Sequence, residues 1–358
     1  MNGITPKFTN EIENVVDDHL FGCVATNQEV QWHQVGNNKR VLIRADIDNV
    51  KNRQVTLVCG GGSGHEPFAG GFVGPNGLSS AVSGDVFASP SSQQIQDAIS
   101  SVLSNKGTIV FSNNYTGDRL NFGMAVENLK NLHKNLKLKL YFVDDDVALE
   151  GKAGFKTGNR GLAGSVLVLQ AAGAFAESGM EFEEICENVE DMIGSLATFG
   201  VSLYPCSMPG KSYMFSLPDD ELELGLGIHG EPGLERIKVK TAKEIIDIVM
   251  PKLVFSNRLK LGQQSEDKIA ILLNNLGIVS QMEMNILAKE VLDWIEANTK
   301  LKVAALFRGT VSTSLDGHGV SISILRSDRE NWLPALCTIS PISNFWNVTK
   351  PQKLETTL

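Results

Sequence analysis

The 358-residue sequence has no Cys-x-x-Cys pair among its five cysteines, Cys23, Cys59, Cys186, Cys206 and Cys337. An odd, scattered set of thiols gives neither a disulfide framework nor a zinc knuckle, and it fits a reducing cytoplasm. No apolar run reaches membrane-spanning length, and the opening MNGITPKFTNEIENVVDDHL carries acids where a secretory signal is continuously apolar. The expectation is a cytoplasmic chain, neither exported nor embedded. Positive charge is in deficit too: 32 basic side chains stand against 41 acidic ones, a net charge of -9. That leaves no basic surface to attract phosphate backbones or anionic lipid, so neither nucleic acid nor membrane is an expected partner. No repeat of fixed period is visible, which sets aside solenoids and propellers. What is present is a 42% hydrophobic share, enough for one large or two ordinary domains with proper cores.

From residue 40 onward, short β-rich runs alternate with helical patterns, as in α/β layers. Strands are expected at 40–45, 54–59, 107–112 and 138–143, each too short and too continuously apolar for a surface helix. Ser89 and Pro90 suit a helix start, and Ile95, Ala98, Ile99 and Leu103 recur at helical spacing. Helices at 161–178 and 181–197 lead to a second block with strands near 212–216, 221–226, 268–273, 302–307 and 320–325. Its helices fall near 241–256 and 281–297. The expected fold is therefore two α/β domains, 1–198 and 199–347, each a mixed or parallel sheet flanked by helices. Residues 348–358 read as a tail or linker.

Glycine collects at strand ends, where open α/β sheets put their sites. GGGSGHEP at 60–67 directly follows strand 54–59. Its glycines let backbone approach a ligand, and His65 is its one group that changes charge near neutral pH. A tight turn around a structural histidine is the plain alternative, but so many glycines with a histidine after a buried strand favour a ligand loop. It is not a Walker loop, because no Gly-Lys-Ser/Thr follows it.

NNYTGD at 113–118 follows strand 107–112 in the same sense. Asp118 there suits either a general base for a hydroxyl or a cap for a helix beginning near Leu120. GLGIHGEPG at 225–233 matches GxGxxG, yet Pro232 and Gly233 stand where a dinucleotide-binding helix would start, and no βαβ unit surrounds them. His229 in that glycine frame can be a nucleophile, a metal ligand or a structural residue, and the local residues leave all three open. Asp144, Asp145 and Asp146 read more as a solvated turn than as a cation site. Gly158, Asn159, Arg160 and Gly161 read as an anion-binding helix start or an ordinary turn.

Taken together, GGGSGHEP, GDVFASP at 84–90, NYTGDRLNFG at 114–123, GNRGLAGSVLV at 158–168, GLGIHGEPG and NNLG at 274–277 resemble the dihydroxyacetone (glycerone) kinase family, in order and over about residues 10–347. The likeness is to its substrate-binding, or K, portion, and around 196–210 and 225–239 it is nearer the fused ATP-dependent kinases of eukaryotes than the bacterial subunits. The resemblance implies two α/β domains, a homodimer, and a histidine, here His229, that forms a hemiaminal with the carbonyl of dihydroxyacetone or glyceraldehyde. It further implies Asp118 as the group taking the hydroxyl proton and His65 as hydrogen-bonding the tethered oxygen. Gly62, Ser63, Gly64 and Asn113 would complete the substrate contacts. No metal and no cofactor is implied on this portion; ATP and Mg2+ are expected on a helical L-type domain, in cis or in trans, that this chain lacks. Two positions depart from the family pattern. Asn113 stands where the family usually has lysine, and Asn159 where it has the first arginine of GRRG. Both remove a cation, and they open an alternative in which the chain senses dihydroxyacetone as a coactivator without turnover.

Overall fold

The first block's strands form a layer whose edge strand carries exposed glutamines and whose centre is buried on both faces. In the computed structural model, which describes residues 4–35, 38–150, 159–262 and 266–350, they are β1 (Val30–Val35), β2 (Asn38–Arg44), β3 (Thr56–Ser63), β4 (Ser80–Val86), β5 (Thr108–Asn113) and β6 (Leu138–Val143). They form one mixed sheet in the order β1-β2-β4-β3-β5-β6, parallel from β4 to β6 and antiparallel from β1 to β4. The helices of this block are α1 (Val15–Thr26), α2 (Ile47–Arg53), α3 (Ser92–Ser101), α4 (Thr116–Leu132), α5 (Ser165–Glu177) and α6 (Phe182–Gly194).

The second sheet holds β7 (Leu196–Tyr204), β8 (Glu221–Leu224), β9 (Glu235–Lys238), β10 (Lys268–Asn275), β11 (Lys302–Gly309), β12 (His318–Arg326) and β13 (Trp346–Thr349). Its order is β13-β11-β10-β12-β7-β8-β9, with only β10 and β11 parallel. Helices α7 (Ala242–Val254), α8 (Gln281–Asn298) and the short α9 (Trp332–Leu336) accompany it. Two mixed sheets flanked by helices is the expected fold class.

α5 shows why the sheets sit together. Every residue from Ser165 to Ala176 is buried, with no polar stripe, so the helix must be covered on all sides. It packs in one apolar cluster with Leu57, Ile109 and Phe111 of the first sheet and Ala270, Leu272 and Phe307 of the second. The two sheets therefore share a core through α5.

Several expectations need correction. Helix α3 is capped by Ser91, whose hydroxyl accepts from the Gln94 N–H while the Gln94 side chain accepts from the Ser91 N–H. Ser89 is not the cap. α6 stops at Gly194, because Leu196 begins the buried strand β7, and the expected division at residue 198/199 falls within that strand. Residues 212–216 form no strand; Tyr213 makes one isolated bridge to Ser207, and Met214 and Phe215 instead cover Gly230. β13 runs through Thr349, into the stretch expected as a tail, and residues 351–358 lie outside the described residues.

Candidate functional site

Three glycine-bearing strand ends converge. β3 ends in Gly60, Gly61, Gly62 and Ser63; β5 ends in Asn113; and β8 opens into the loop 225–233. That loop is closed at its base by the Leu234 N–H donating to Leu224 O at 2.7 Å, and it is braced by Arg160, whose Nη2 donates to Gly225 O at 2.6 Å. Gly64 has φ of 100°, where L side chains are rare, and a β-carbon on it would strike the ring of Phe87. Its N–H is held by the Glu66 carboxylate at 3.0 Å, which aims the next residue, His65, across the gap between the sheets.

His65 and His229, 164 positions apart, meet there with their Nε2 atoms 3.0 Å apart. His65 Nδ1 lies 2.8 Å from Thr313 O, and a carbonyl only accepts, so Nδ1 carries the proton and Nε2 offers a lone pair. His229 Nδ1 lies 2.9 Å from Glu231 Oε1, and a carboxylate likewise takes the Nδ1 proton. A contact of 3.0 Å between the two Nε2 atoms then needs one proton between them, since two lone pairs repel. Burial, followed by the charge of His229, pushes His65 down to about 3, so it stays a neutral acceptor. For Glu231, burial pushes the carboxyl up, but the hydrogen bond and charge of His229 outweigh it and hold it at about 2. His229 retains 22% of its side-chain surface, so its ring is reachable. Phe87 stacks on His65 with centroids 5.1 Å apart, and the rings of Phe87 and Tyr115 meet His229 edge-on.

Beside the pair lies a small cavity walled by Gly60 to Gly62, His65, Asn113, Tyr115, Asp118 and His229. Among its wall atoms, Asn113 Oδ1, Asp118 Oδ1 and the Tyr115 hydroxyl are buried with no hydrogen-bond partner. Buried polar atoms are almost always paired, so three orphans around one cavity call for a polar partner from outside the chain. Asp118 is not a helix cap: α4 begins at Thr116, and Asp118 sits buried in its first turn. Burial lifts its carboxyl from 3.8 to about 6, against the opposing Ser89 hydrogen bond and His229 charge.

A raised carboxyl costs the fold once it ionises. The stabilisation from neutral Asp118 is complete below pH 3.8 and is lost as pH rises through about 6. Asp118→Asn should therefore be more stable than the parent by roughly 2–3 kcal/mol near pH 8 and equal to it near pH 4. Urea unfolding at the two pH values measures this; equal midpoints near pH 8 would contradict it.

The structure brings Gly62, His65, Asn113, Asp118 and His229 together around the cavity. It does not bring Ser63 there, since its hydroxyl is spent on Gly84 O at 2.8 Å. Gly64 lies behind the wall, its carbonyl accepting from the Leu315 N–H at 2.9 Å. Of the three aspartates, Asp145 and Asp146 are buried and Asp144 is half-buried, and each has its own protein partner. Asp145 accepts from the N–H groups of Leu162 and Gly164 ahead of α5, Asp146 pairs with Arg160 at 2.6 Å, and Asp144 pairs with Arg258. Among the described residues no group of three His, Cys, Asp or Glu side chains is arranged to hold a metal ion. Asn159 and Arg160 do not start a helix, because α5 begins at Ser165; Gly158 lies outside the described residues.

Four contributors carried no role in the sequence reading: Phe87, Tyr115, Glu231 and Thr313. Glu231 was legible, being a carboxylate two residues past a histidine on a glycine loop. Thr313 had no local signal, because it acts through its carbonyl. It is placed by Asn274 of the NNLG motif, whose side chain accepts from the N–H groups of Val311 and Ser312 and donates to Ser312 O.

A cavity lined by orphaned polar atoms where the strands of two helix-flanked sheets end is the arrangement in which α/β proteins hold small ligands. The Dak1 domain model matches residues 21–338, and the chain belongs to that family, with the fold of a dihydroxyacetone kinase K-type domain. It is 40% identical over 325 residues to triokinase/FMN cyclase of Mus musculus, covering 90% of this chain and 55% of the relative. It is 38% identical over 331 residues to the dihydroxyacetone-binding subunit DhaK of a PTS-dependent dihydroxyacetone kinase from Listeria innocua, covering 92% of this chain and 97% of that one. Among solved structures, the dihydroxyacetone kinase of C. freundii in complex with AMP-PNP and Mg2+ superposes with a TM-score of 0.88 at 30% identity, over 99% of this chain and 63% of that one. The dihydroxyacetone kinase operon co-activator DhaQ superposes with a TM-score of 0.82 at 28% identity, over 94% and 99%. The chain thus spans about half the length of the mammalian relatives it matches and nearly all of the DhaK and DhaQ chains. Among the described residues no helix is long and apolar enough to cross a membrane.

Proposed function

We propose that this chain captures dihydroxyacetone, or a similarly short hydroxy-carbonyl such as glyceraldehyde, as a hemiaminal on His229. It then presents the captured molecule for phosphorylation by a helical ATP-binding domain. The observation that carries this reading is the His229 ring, with Nδ1 held by Glu231 and Nε2 facing His65 beside the unpartnered Asp118 and Asn113 oxygens. In the capture step the proton between the two Nε2 atoms passes from His229 to His65, freeing the lone pair with which His229 Nε2 bonds the carbonyl carbon. The C=O π pair moves to oxygen, which takes that proton from His65 Nε2. Polyols offer no such carbon, so bond formation itself selects ketones and aldehydes over abundant alcohols. Asp118 then accepts the proton of the terminal hydroxyl as that oxygen attacks the phosphoryl group, and the tether supplies the orientation that phosphoryl transfer requires. ATP and Mg2+ belong to the helical domain.

A second reading is favoured by Asn113, an amide where the family usually carries lysine: ligand capture without turnover, as in a coactivator that senses dihydroxyacetone. One experiment separates the two. The chain is mixed with a helical ATP-binding domain of the family, Mg2+, ATP and dihydroxyacetone, and dihydroxyacetone phosphate is assayed alongside the adduct mass. Product formation is expected. An adduct without product supports the sensing reading, particularly if Asn113→Lys gains rate, and neither adduct nor product defeats both.

A further inference from the structure

Glu231 makes two contacts with one residue. Its Oε1 takes the His229 ring Nδ1 proton at 2.9 Å, and its Oε2 accepts the His229 backbone N–H at 3.0 Å. The loop fixes this grip from the other side, because the Gly227 N–H donates to Glu231 O at 3.0 Å and the Gly230 N–H to Gly227 O at 3.0 Å. Gly227 lies against the carboxylate and the Arg160 guanidinium alike; a β-carbon there would collide with Glu231 Oε2 and Arg160 Nη1. The ring is thus held in one tautomer and one plane by a charged group that faces away from the cavity.

We propose that Glu231 is the positioning residue and counter-ion of carbonyl capture, so that the adduct on His229 is a cationic N-alkylated imidazolium retaining its Nδ1 proton. This rests on the capture reading above and deepens it. Neutralising the adduct would require the Nδ1 proton to leave, turning a ring lone pair toward a carboxylate at 2.9 Å. With the carboxylate in place the charge on the ring is the same before and after bond formation. The cavity itself then needs no further cation, and the oxygen is protonated by the proton already lying between His229 and His65. The titratable and charged groups facing this pair are His65 from the end of β3, Tyr115 and Asp118 at the start of α4, and Arg160 from the stretch before α5. Of these, His65 stays neutral, and burial raises Tyr115 well above its ordinary range, so neither changes charge near neutral pH.

The test uses the whole chain labelled with 15N-histidine and saturated with dihydroxyacetone, following the His229 ring nitrogens by NMR from pH 6 to 9. In the parent the Nδ1 proton of the adduct persists across this range. In Glu231→Gln it is lost within the range, and capture weakens on the order of 10- to 100-fold, the effect of removing a charge-assisted hydrogen bond. Glu231→Asp keeps the charge at a shorter reach and should recover part of the proton's persistence. Should Glu231→Gln fail to fold, Gly227→Ala displaces the carboxylate without removing it and should shift the same signal. Unchanged Nδ1 behaviour and unchanged capture in the folded variants overturn the proposal. Absence of any adduct on the parent protein instead overturns the capture reading on which it rests.

Discussion

His229→Ala abolishes retention of dihydroxyacetone and leaves the fold in place. The expected loss in apparent affinity is on the order of a hundredfold or more, because a ligand of about six heavy atoms gains little from non-covalent contact once ordering costs are met. The substitution removes the only atom of the cavity wall that the capture reading uses as a carbon-bonding nucleophile. The fold is insulated from the change: the loop 225–233 is held by backbone bonds and by Arg160 rather than by the ring. Intact-mass spectrometry after incubation with dihydroxyacetone checks the first half, and thermal melting the second. An adduct of parent mass on the alanine variant would place the bond elsewhere.

Asp118→Asn separates capture from transfer. With a helical ATP-binding domain supplied, turnover falls by about 10²- to 10⁴-fold, the range associated with losing a positioned proton acceptor, while the adduct still forms. A carboxyl held at about 6 is largely ionised at pH 7 yet more basic than an ordinary carboxylate, which suits it to take a hydroxyl proton in a dry cavity. Parent turnover accordingly rises with pH through about 6 and then levels, whereas the residual rate of the asparagine variant shows no step there. The same substitution stabilises the fold above pH 6, so lost activity cannot be ascribed to unfolding. A variant with parent turnover would remove Asp118 from the transfer step.

The elements that were legible from sequence are those in which local preference and tertiary burial agree. β6 has the expected bounds, and β5 and β10 differ by one or two residues, because continuously apolar runs bounded by polar turns admit no other layer. β4 was missed because SAVSGDV mixes serine, glycine and aspartate; it is a strand only because β2 and β3 pair with it on either side. β1 and β9 escaped for a related reason, being edge or near-edge ribbons whose polar residues face solvent. Residues 212–216 were expected as a strand, but Met214 and Phe215 serve as cover for the histidine loop. At the site, the glycine clusters announced three strand ends but not that they meet, since the meeting depends on how α5 docks both sheets. Phe87 shows the limit best: its φ of 58° and its stacking on His65 have no sequence signal in a phenylalanine.

The central claim is a covalent bond between the His229 ring and the ligand's carbonyl carbon. Carbon NMR of the parent protein with dihydroxyacetone labelled with 13C at the carbonyl reads that bond directly. The predicted result is a protein-bound tetrahedral carbon, split by 15N-labelled His229 Nε2 and missing from His229→Ala. A bound ligand whose carbon keeps its ketone shift, with no nitrogen coupling, contradicts the account.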